Sequence, residues 1–157
     1  MTQDLNIHLP SGRLNIRAGA IIVKGGSVLL IWSNEVKHWY TVGGRIHFGE
    51  SSYEAVLREI REELGEFADS LKGGTLIATE ENFFAIGGKP VHEFGYYYIF
   101  DGSALPSAEE IPLHDCDGFL KFLTIEEIKR ERVYPLFLKD GIPNAYMHII
   151  KRDEVTA

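Results

Sequence analysis

Three glutamates, Glu59, Glu62 and Glu63, have the spacing i, i+3 and i+4, which places their carboxylates on one side of a helix. Like charges at this spacing repel one another by roughly a few tenths of a kcal/mol per pair, so a neutralising group is expected. Three arginines are close enough in sequence to serve: Arg45, Arg58 and Arg61. The other candidate is a divalent cation, because oxygen-only ligands suit Mg²⁺ or Mn²⁺.

A glycine-rich segment precedes this helix. Gly43 and Gly44 follow the run Trp39-Tyr40-Thr41-Val42, which predicts a strand, and Gly49 stands directly before Glu50. Glycines at a strand-to-helix turn let the backbone approach a ligand closely and expose its carbonyl and N–H groups. A solvated acidic helix face is the simpler interpretation of the glutamates alone, but it does not explain this loop.

The helix itself has clear start and stop signals. Ser51 and Glu54 form a capping-box pattern, which predicts a first helical residue near Ser52, and Gly65 predicts the end. Five apolar side chains share one arc that can pack on a sheet: Tyr53, Val56, Leu57, Ile60 and Leu64. The glutamates lie on the adjoining arc, and the small Ala55 lies between the two.

Together, loop and helix resemble the signature of the Nudix hydrolase family, G-x5-E-x7-R-E-U-x-E-E-x-G-U with U an apolar residue. Eight positions match at the required spacing: Gly44, Glu50, Arg58, Glu59, Ile60, Glu62, Glu63 and Gly65. The single departure is at the last position, where Glu66 replaces an apolar residue and Phe67 follows it. The resemblance therefore covers the box from Gly44 to Glu66.

The resemblance implies Mg²⁺- or Mn²⁺-dependent hydrolysis of a nucleoside diphosphate linked to another moiety. The implied metal ligands are Glu59, Glu62 and Glu63, with the backbone carbonyl of Gly43 or Gly44 as a further ligand. Glu50 corresponds to a supporting carboxylate, and Arg58 to the group that orients a helix glutamate. The general base can be a box glutamate or an acidic residue of a later loop, for which the candidates are Glu109, Glu110, Asp115 and Asp117.

The flanking segments predict the strands that position the box. Two hairpins are expected, one joining residues 14–24 and 27–32 through Gly25-Gly26, the other joining 75–86 and 91–100. A further strand is expected at Gly118–Leu123, followed by a helix that Thr124 caps and that ends before Pro135. Strands interleaved with helices predict an α+β domain with a mixed sheet. The resemblance implies a Nudix-type α/β/α sandwich, and we expect residues 1–157 to form one domain.

Composition narrows the possible partners and compartment. The chain has 157 residues, 45% of them hydrophobic, and a net charge of −7, which argues against a nucleic-acid polymer as partner. Cys116 is the only cysteine, so no intramolecular disulfide is possible and a reducing compartment is expected. No segment has the length of a signal peptide's apolar core or of a membrane span. We expect a soluble, cytoplasmic protein. Dimers are common in the family, so the sequence is also compatible with a homodimer.

The substrate is less visible in the sequence. Arg17 is a candidate for contacting phosphates, and four aromatic or imidazole side chains are candidates for the rest of the substrate: Trp39, Tyr40, Phe83 and His92. Aromatic residues in strands more often serve cross-strand packing. In the pair His92-Glu93, strand alternation should expose only one side chain to the pocket. Nucleoside triphosphates, nucleotide sugars and ADP-ribose are all compatible, and a Nudix-fold module that senses nucleotides without turnover is the alternative.

Overall fold

A computed structural model describes residues 2–114 and 116–153 of the chain. These residues form one mixed β-sheet flanked by helices. The strands are β1 (Asn6–Leu9), β2 (Gly12–Lys24), β3 (Ser27–Ser33), β4 (His38–Arg45), β5 (Lys72–Ile86), β6 (Lys89–Asp101), β7 (Gly118–Leu123), β8 (Val133–Tyr134) and β9 (Met147–Arg152). The α-helices are α1 (Ser52–Leu64) and α2 (Ile125–Arg130), and short 3₁₀ turns occupy Gly65–Ser70, Ala108–Glu110 and Leu136–Asp140.

The sheet has the strand order β7-β3-β4-β2-β6-β5-β9, with β1 added to β2 and β8 to β4. The predicted hairpin between β2 and β3 is paired only near its turn, where Val23 faces Val28. Beyond that point β4 inserts between them, and β2 pairs with β4 from Arg17 to Ala20. On its other side β2 pairs in parallel with β6 over eleven aligned positions, Arg13 to Val23. The central strand β2 therefore connects the two predicted hairpins.

Both faces of the sheet are covered, which explains the continuous apolar runs in the central strands. Ile22, Leu29 and Ile31 face the side covered by α1, whereas their neighbours Ile21 and Leu30 face the opposite side. The opposite core is closed by Ile128 of α2 and by Phe137 and Leu138 of the 3₁₀ turn after β8. This arrangement confirms the predicted α+β fold with a mixed sheet between helical layers.

Helix α1 begins and ends as predicted. Ser51 accepts a hydrogen bond from the Glu54 amide, the Glu54 carboxylate accepts from the Ser51 amide, and Gly65 closes the helix at φ 58°. The predicted apolar arc was partly wrong, because Tyr53 and Leu57 are 42% and 41% exposed while Ala55 is fully buried. The helix thus turns its smallest side chain toward the sheet, which allows a close approach between the two.

Three strands have no counterpart in the sequence analysis: β1, β8 and β9. Each is short or mixes polar with apolar residues, so its conformation depends on the strand that it pairs with rather than on local pattern. β9 lies in parallel on the outer edge of β5, from Ala78↔Met147 to Phe83↔Arg152. None of the helices in the described part of the chain is long and apolar enough to cross a membrane.

Candidate active site

Gly43 and Gly44 lie near the end of β4, paired with β2, rather than in the turn that leads to α1, and both are tightly packed there. A methyl group on Gly43 would overlap the carbonyl oxygen of Ala18 on β2, and one on Gly44 would overlap the carboxylate of Glu59. The backbone at the end of β4 therefore lies directly against a helix glutamate. Any residue other than glycine at position 44 would occupy the space that the Glu59 carboxylate fills.

Arg58 is the centre of an ion-pair network that joins the loop to the helix. Its Nε donates to Oε1 of Glu50 at 2.8 Å, and its Nη2 donates to Oε2 of Glu50 at 3.1 Å and to the carbonyl of Arg45 at 2.9 Å. Its Nη1 donates to Glu59 at 2.7 Å and approaches Glu62 at 3.3 Å. One guanidinium thus contacts three carboxylates and fixes the orientation of two of them, while its single positive charge offsets only part of their negative charge.

The remaining arginines near the box are used elsewhere. Arg61 pairs with Asp69 at 3.0 Å, and Arg45 lies 3.6 Å from Asp4. Among these three arginines, Arg58 is therefore the one that pairs with helix glutamates, Glu59 and Glu62. Its hydrogen bonds hold the pKa of Glu50 below its ordinary value, with the His47 amide contributing at 2.9 Å.

The helix glutamates differ in their environments. Burial raises the pKa of Glu59 above its ordinary value, although the hydrogen bond and charge of Arg58 oppose the rise. Glu62 has 46% of its side chain exposed, and Glu63 is half-buried. Carboxylate and carbonyl oxygens without nitrogen or sulfur donors suit a hard divalent cation, so the donor set fits Mg²⁺ or Mn²⁺. In the described residues, however, no three acidic, histidine or cysteine side chains converge on one point.

A cavity of about 970 Å³ opens beside Gly44 and Glu59. It extends along β2, β5 and β6 and is closed on the far side by the segment around β8. Its basic side chains are Arg13, Arg17, Arg45, Arg132 and Lys151, and its aromatic or imidazole side chains are His38, Tyr40, Phe84, Tyr97 and Tyr134. The volume lies at the upper end of the range for small-molecule sites, roughly 300 to 1,000 Å³.

Two of the five predicted substrate contacts line this cavity, Arg17 and Tyr40. Trp39 does not: it is 7% exposed and packs in the opposite core, with its ring 5.3 Å from Trp32. Phe83 and His92 do not line it either, and their rings pack on each other at 4.2 Å. Strand alternation explains this, because the next residue in each strand faces the cavity instead.

The residues that take those places are Phe84 on β5 and Glu93 on β6. Sequence reasoning missed the cavity-lining Glu80, Asn82 and Tyr134 entirely. A signal was present, since Arg13, Asn15 and Arg17 alternate with apolar residues on β2, and Glu80, Asn82 and Phe84 stand at every second position of β5. Polar residues at every second position of an otherwise apolar strand indicate that one face of the sheet is accessible to solvent.

The candidate bases on later loops are separate from the cavity where they are described. Glu109 and Glu110 are exposed on a 3₁₀ turn, and Glu110 accepts from the Ser107 amide at 3.0 Å. Asp117 accepts from Asn34 at 3.2 Å. Asp115 lies outside the described residues. Among the described candidates, Glu59 lines the cavity, whereas Glu109, Glu110 and Asp117 do not.

The departure from the signature at Glu66 has a simple structural consequence. Glu66 is exposed, and the next residue, Phe67, packs against the core that α1 covers. The apolar contact after the helix is thus made one position later.

Comparison with known proteins places the chain in a family. The model of the NUDIX domain matches residues 13–140. Among solved structures, the chain is similar to a MutT protein from Methanosarcina mazei Go1, with 23% identity, 85% of this chain and 92% of that chain covered, and a TM-score of 0.60. It is also similar to a C. elegans Ap4A hydrolase, with 20% identity, coverage of 74% and 85%, and a TM-score of 0.57. No curated protein matches the sequence.

A third similar structure is an ADP-ribose pyrophosphatase from Streptococcus suis 89-1591. It is 14% identical, with 87% of this chain and 98% of that chain covered and a TM-score of 0.53. At these identities the structural similarity shows the shared fold.

Proposed function

The chain belongs to the Nudix hydrolase family, and on this basis we propose that it hydrolyses the pyrophosphate linkage of a nucleoside diphosphate joined to another moiety, with Mg²⁺ or Mn²⁺ as cofactor. One observation carries the proposal. The Glu59 carboxylate, bound by Arg58 and seated against Gly44, lies at a large cavity that is also lined by the half-buried cation Arg17.

Each residue of the box has a role in this proposal. Glu59, Glu62 and Glu63 would hold the cation, together with the carbonyl of Gly43 or Gly44. Such a cation supplies charge neutralisation for the pyrophosphate oxygens and a lower pKa for water. Arg58 holds Glu59 in place, and Glu50 holds Arg58.

Two further groups complete the proposed reaction. Arg17 lines the cavity and would bind a phosphate of the substrate; the nearby Tyr97, Glu93 and Glu59 raise its pKa and keep it protonated. A carboxylate must accept the proton of the attacking water. The position of Glu59 at the cavity favours a box glutamate for this step over Glu109, Glu110 or Asp117.

The substrate is proposed at the level of a class, a small nucleotide derivative. The similar structures include a MutT protein, an Ap4A hydrolase and an ADP-ribose pyrophosphatase. We therefore include nucleoside triphosphates, dinucleoside polyphosphates, nucleotide sugars and ADP-ribose. One catalytic domain over residues 1–157, a cytoplasmic location and a homodimer all stay predictions.

Chromatographic detection of the nucleotide products from such a panel tests the proposal directly. Each compound is assayed with Mg²⁺, with Mn²⁺ and with EDTA. We expect turnover of one group of compounds that EDTA abolishes. Absence of turnover together with metal-dependent nucleotide binding would overturn the hydrolase and favour a sensing module.

A further inference from the structure

The cavity floor is a lattice of polar side chains on three neighbouring strands. In one row, Asn15 of β2 is aligned with Glu93 of β6, and Glu93 with Asn82 of β5. In the next row, Arg17 and Glu80 are both aligned with Gly95. We call the six polar side chains the lattice: Arg13, Asn15, Arg17, Glu80, Asn82 and Glu93. All six line the cavity.

Tyr97 fills the gap in the middle of the second row. A methyl group on Gly95 would come within 2.8 Å of the Tyr97 ring, so the ring lies over the glycine between Arg17 and Glu80. Neighbouring strands are about 4.8 Å apart, which puts the backbones of β2 and β5 about 10 Å from each other. The lattice therefore presents two separate polar edges with an aromatic ring between them.

One part of the lattice is internally satisfied. Asn15 donates to Glu93 Oε2 at 2.7 Å, and its own Oδ1 accepts from Arg45 Nε at 3.1 Å. This chain of bonds ties the lattice to Arg45, the last residue of β4 and the second residue of the Nudix box. It also leaves Asn15 and Glu93 as supporting groups rather than free binding groups.

The other part has buried atoms without a hydrogen-bond partner in the residues described. They are Nε of Arg13 and Arg17, Oε2 of Glu80 and Oδ1 of Asn82. Glu80 is only 3% exposed. Buried polar atoms are almost always hydrogen-bonded in native proteins, so four such atoms on side chains that line one cavity mark it as a place where water or a ligand supplies the partners.

The chemistry of these atoms is divided between the two edges. The β2 edge offers donors, from Arg13 and Arg17, and therefore needs acceptors such as phosphate oxygens. The β5 edge offers acceptors, from Glu80 and Asn82, and therefore needs N–H or O–H donors. A ligand that joins a phosphate to a donor-bearing group fits both edges at once.

Aromatic rings at the same cavity favour a flat group. Phe84 follows Asn82 at the next inward position of β5. Tyr134 lines the opposite wall, where the His38 ring packs edge-on at 4.8 Å and the Arg132 guanidinium lies 5.6 Å from the ring centre. Aromatic faces of this kind can stack on a nucleobase.

We propose that the lattice reads the hydrogen-bonding edge of an amino-substituted nucleobase, with Glu80 and Asn82 accepting from its N–H groups. Arg17 binds the phosphate chain that leads from the base toward the Nudix box. This inference rests on the proposed function for the class of substrate, and it names the part of the substrate that is selected. Adenine, guanine and cytosine carry an amino group, whereas hypoxanthine and uracil are their counterparts without it.

The ionisation of Glu80 strengthens this selection at alkaline pH. Burial raises the pKa of Glu80 to about 7, the charge of Glu93 adds to the rise, and Lys151 and Arg17 oppose it. Tyr97 packs beside it but is neutral, because burial raises its pKa strongly. At pH 8 the carboxylate therefore offers two acceptors, whereas at pH 6 one of its oxygens carries a proton and becomes a donor.

Calorimetric binding of α,β-methylene nucleoside diphosphates tests the proposal, because their bridging carbon prevents hydrolysis. The guanosine and adenosine compounds are each compared with the inosine compound, and the cytidine compound with the uridine compound, in Mg²⁺ at pH 8. We expect at least one amino-substituted base to bind tenfold or more tightly than its counterpart, since a site built for a donor rejects an analogue without it. At pH 6 this preference should narrow.

Two variants and one matched control locate the effect. Glu80→Gln and Asn82→Ala should each reduce the preference to less than threefold at pH 8 while the thermal unfolding transition stays cooperative. Glu81→Gln changes the neighbouring carboxylate, which binds His148 at 2.8 Å and does not line the cavity, so the preference should be unchanged. An equal loss in Glu81→Gln, no loss in either lattice variant, or no preference in the unmodified protein would overturn the inference.

The two proposals fail in different ways. Selective, Glu80-dependent binding without hydrolysis of any compound in the panel would refute the proposed function and leave the inference standing. Metal-dependent hydrolysis with no effect of Glu80 on base preference would refute the inference alone.

Discussion

At the scale of single residues, the site depends on how Arg58 and Gly44 hold Glu59. Arg58 donates 2.7 Å and 2.8 Å hydrogen bonds to Glu59 and Glu50, and Gly44 leaves the space that the Glu59 carboxylate fills. Glu62 is more exposed and is held only by a 3.3 Å contact to Arg58. Its charge can therefore be removed with little effect on packing.

Replacing Glu62 with glutamine tests the proposed metal role. The change keeps the side-chain shape but removes a ligand charge, so we expect the rate of hydrolysis to fall by about 100-fold or more with an unchanged fold. Steady-state kinetics and circular dichroism measure the two effects. Glu66→Gln is the matched control, because Glu66 is also exposed but stands one position beyond the helix cap. Nearly normal turnover in Glu62→Gln would refute the role.

Replacing Gly44 with alanine tests the seat of Glu59. The added methyl group would overlap the Glu59 carboxylate, so Glu59 must move and its bond to Arg58 must lengthen. We expect at least about tenfold lower kcat/KM, because small displacements of catalytic groups are costly. Gly49→Ala is the comparison: nothing lies within 4 Å of the added carbon there, although its φ of 83° adds backbone strain. Equal activity in Gly44→Ala and the unmodified protein would contradict this account.

At the scale of elements, α1 is positioned by its caps and by one buried face. The Ser51 hydroxyl and the Glu54 carboxylate satisfy amides at the start of the helix, and Ala55, Val56, Ile60 and Leu64 pack on the sheet. The same helix carries the box glutamates on its other side. Stability of the helix start and geometry of the site are therefore coupled through a single element.

Replacing Ser51 with alanine measures this coupling. Loss of the cap should lower the free energy of unfolding by about 0.5 to 2 kcal/mol. Urea denaturation followed by circular dichroism measures it. Ser11→Ala is the control, since Ser11 is exposed in the turn between β1 and β2. A loss no greater than that of Ser11→Ala would show that tertiary packing alone fixes the start of α1.

At the scale of the whole molecule, burial of a carboxyl group in the cavity floor links stability to pH. Glu80 has an ordinary pKa of 4.5 and a pKa of about 7 in the folded protein. Between these values the folded state binds more protons than the unfolded state, so this group's contribution to stability falls as pH rises. The destabilisation is fully present above pH 7 and absent below pH 4.5.

Glu80→Gln should remove this dependence. The free energy of unfolding of the variant minus that of the unmodified protein should be about 2 to 3 kcal/mol larger at pH 8 than at pH 5. Chemical denaturation at the two pH values measures the change. Glu81→Gln is the control, because Glu81 is the neighbouring carboxylate and does not line the cavity. A difference that stays constant with pH would mean that Glu80 titrates normally in the folded protein.

The sequence by itself determined α1, its caps and most of the strands, because each depends on local spacing, capping or alternation. It also identified the Nudix box, whose residues are neighbours along the chain. The tertiary structure alone decided that Arg58, not Arg45 or Arg61, pairs with Glu59 and Glu62, and that Phe84 and Glu93 rather than Phe83 and His92 face the cavity. These outcomes follow from the register of β2, β5 and β6, which brings together residues far apart in sequence. Alternation along β2 and β5 indicates which residues share a face of the sheet, but which strands lie side by side is a long-range property that no local pattern specifies.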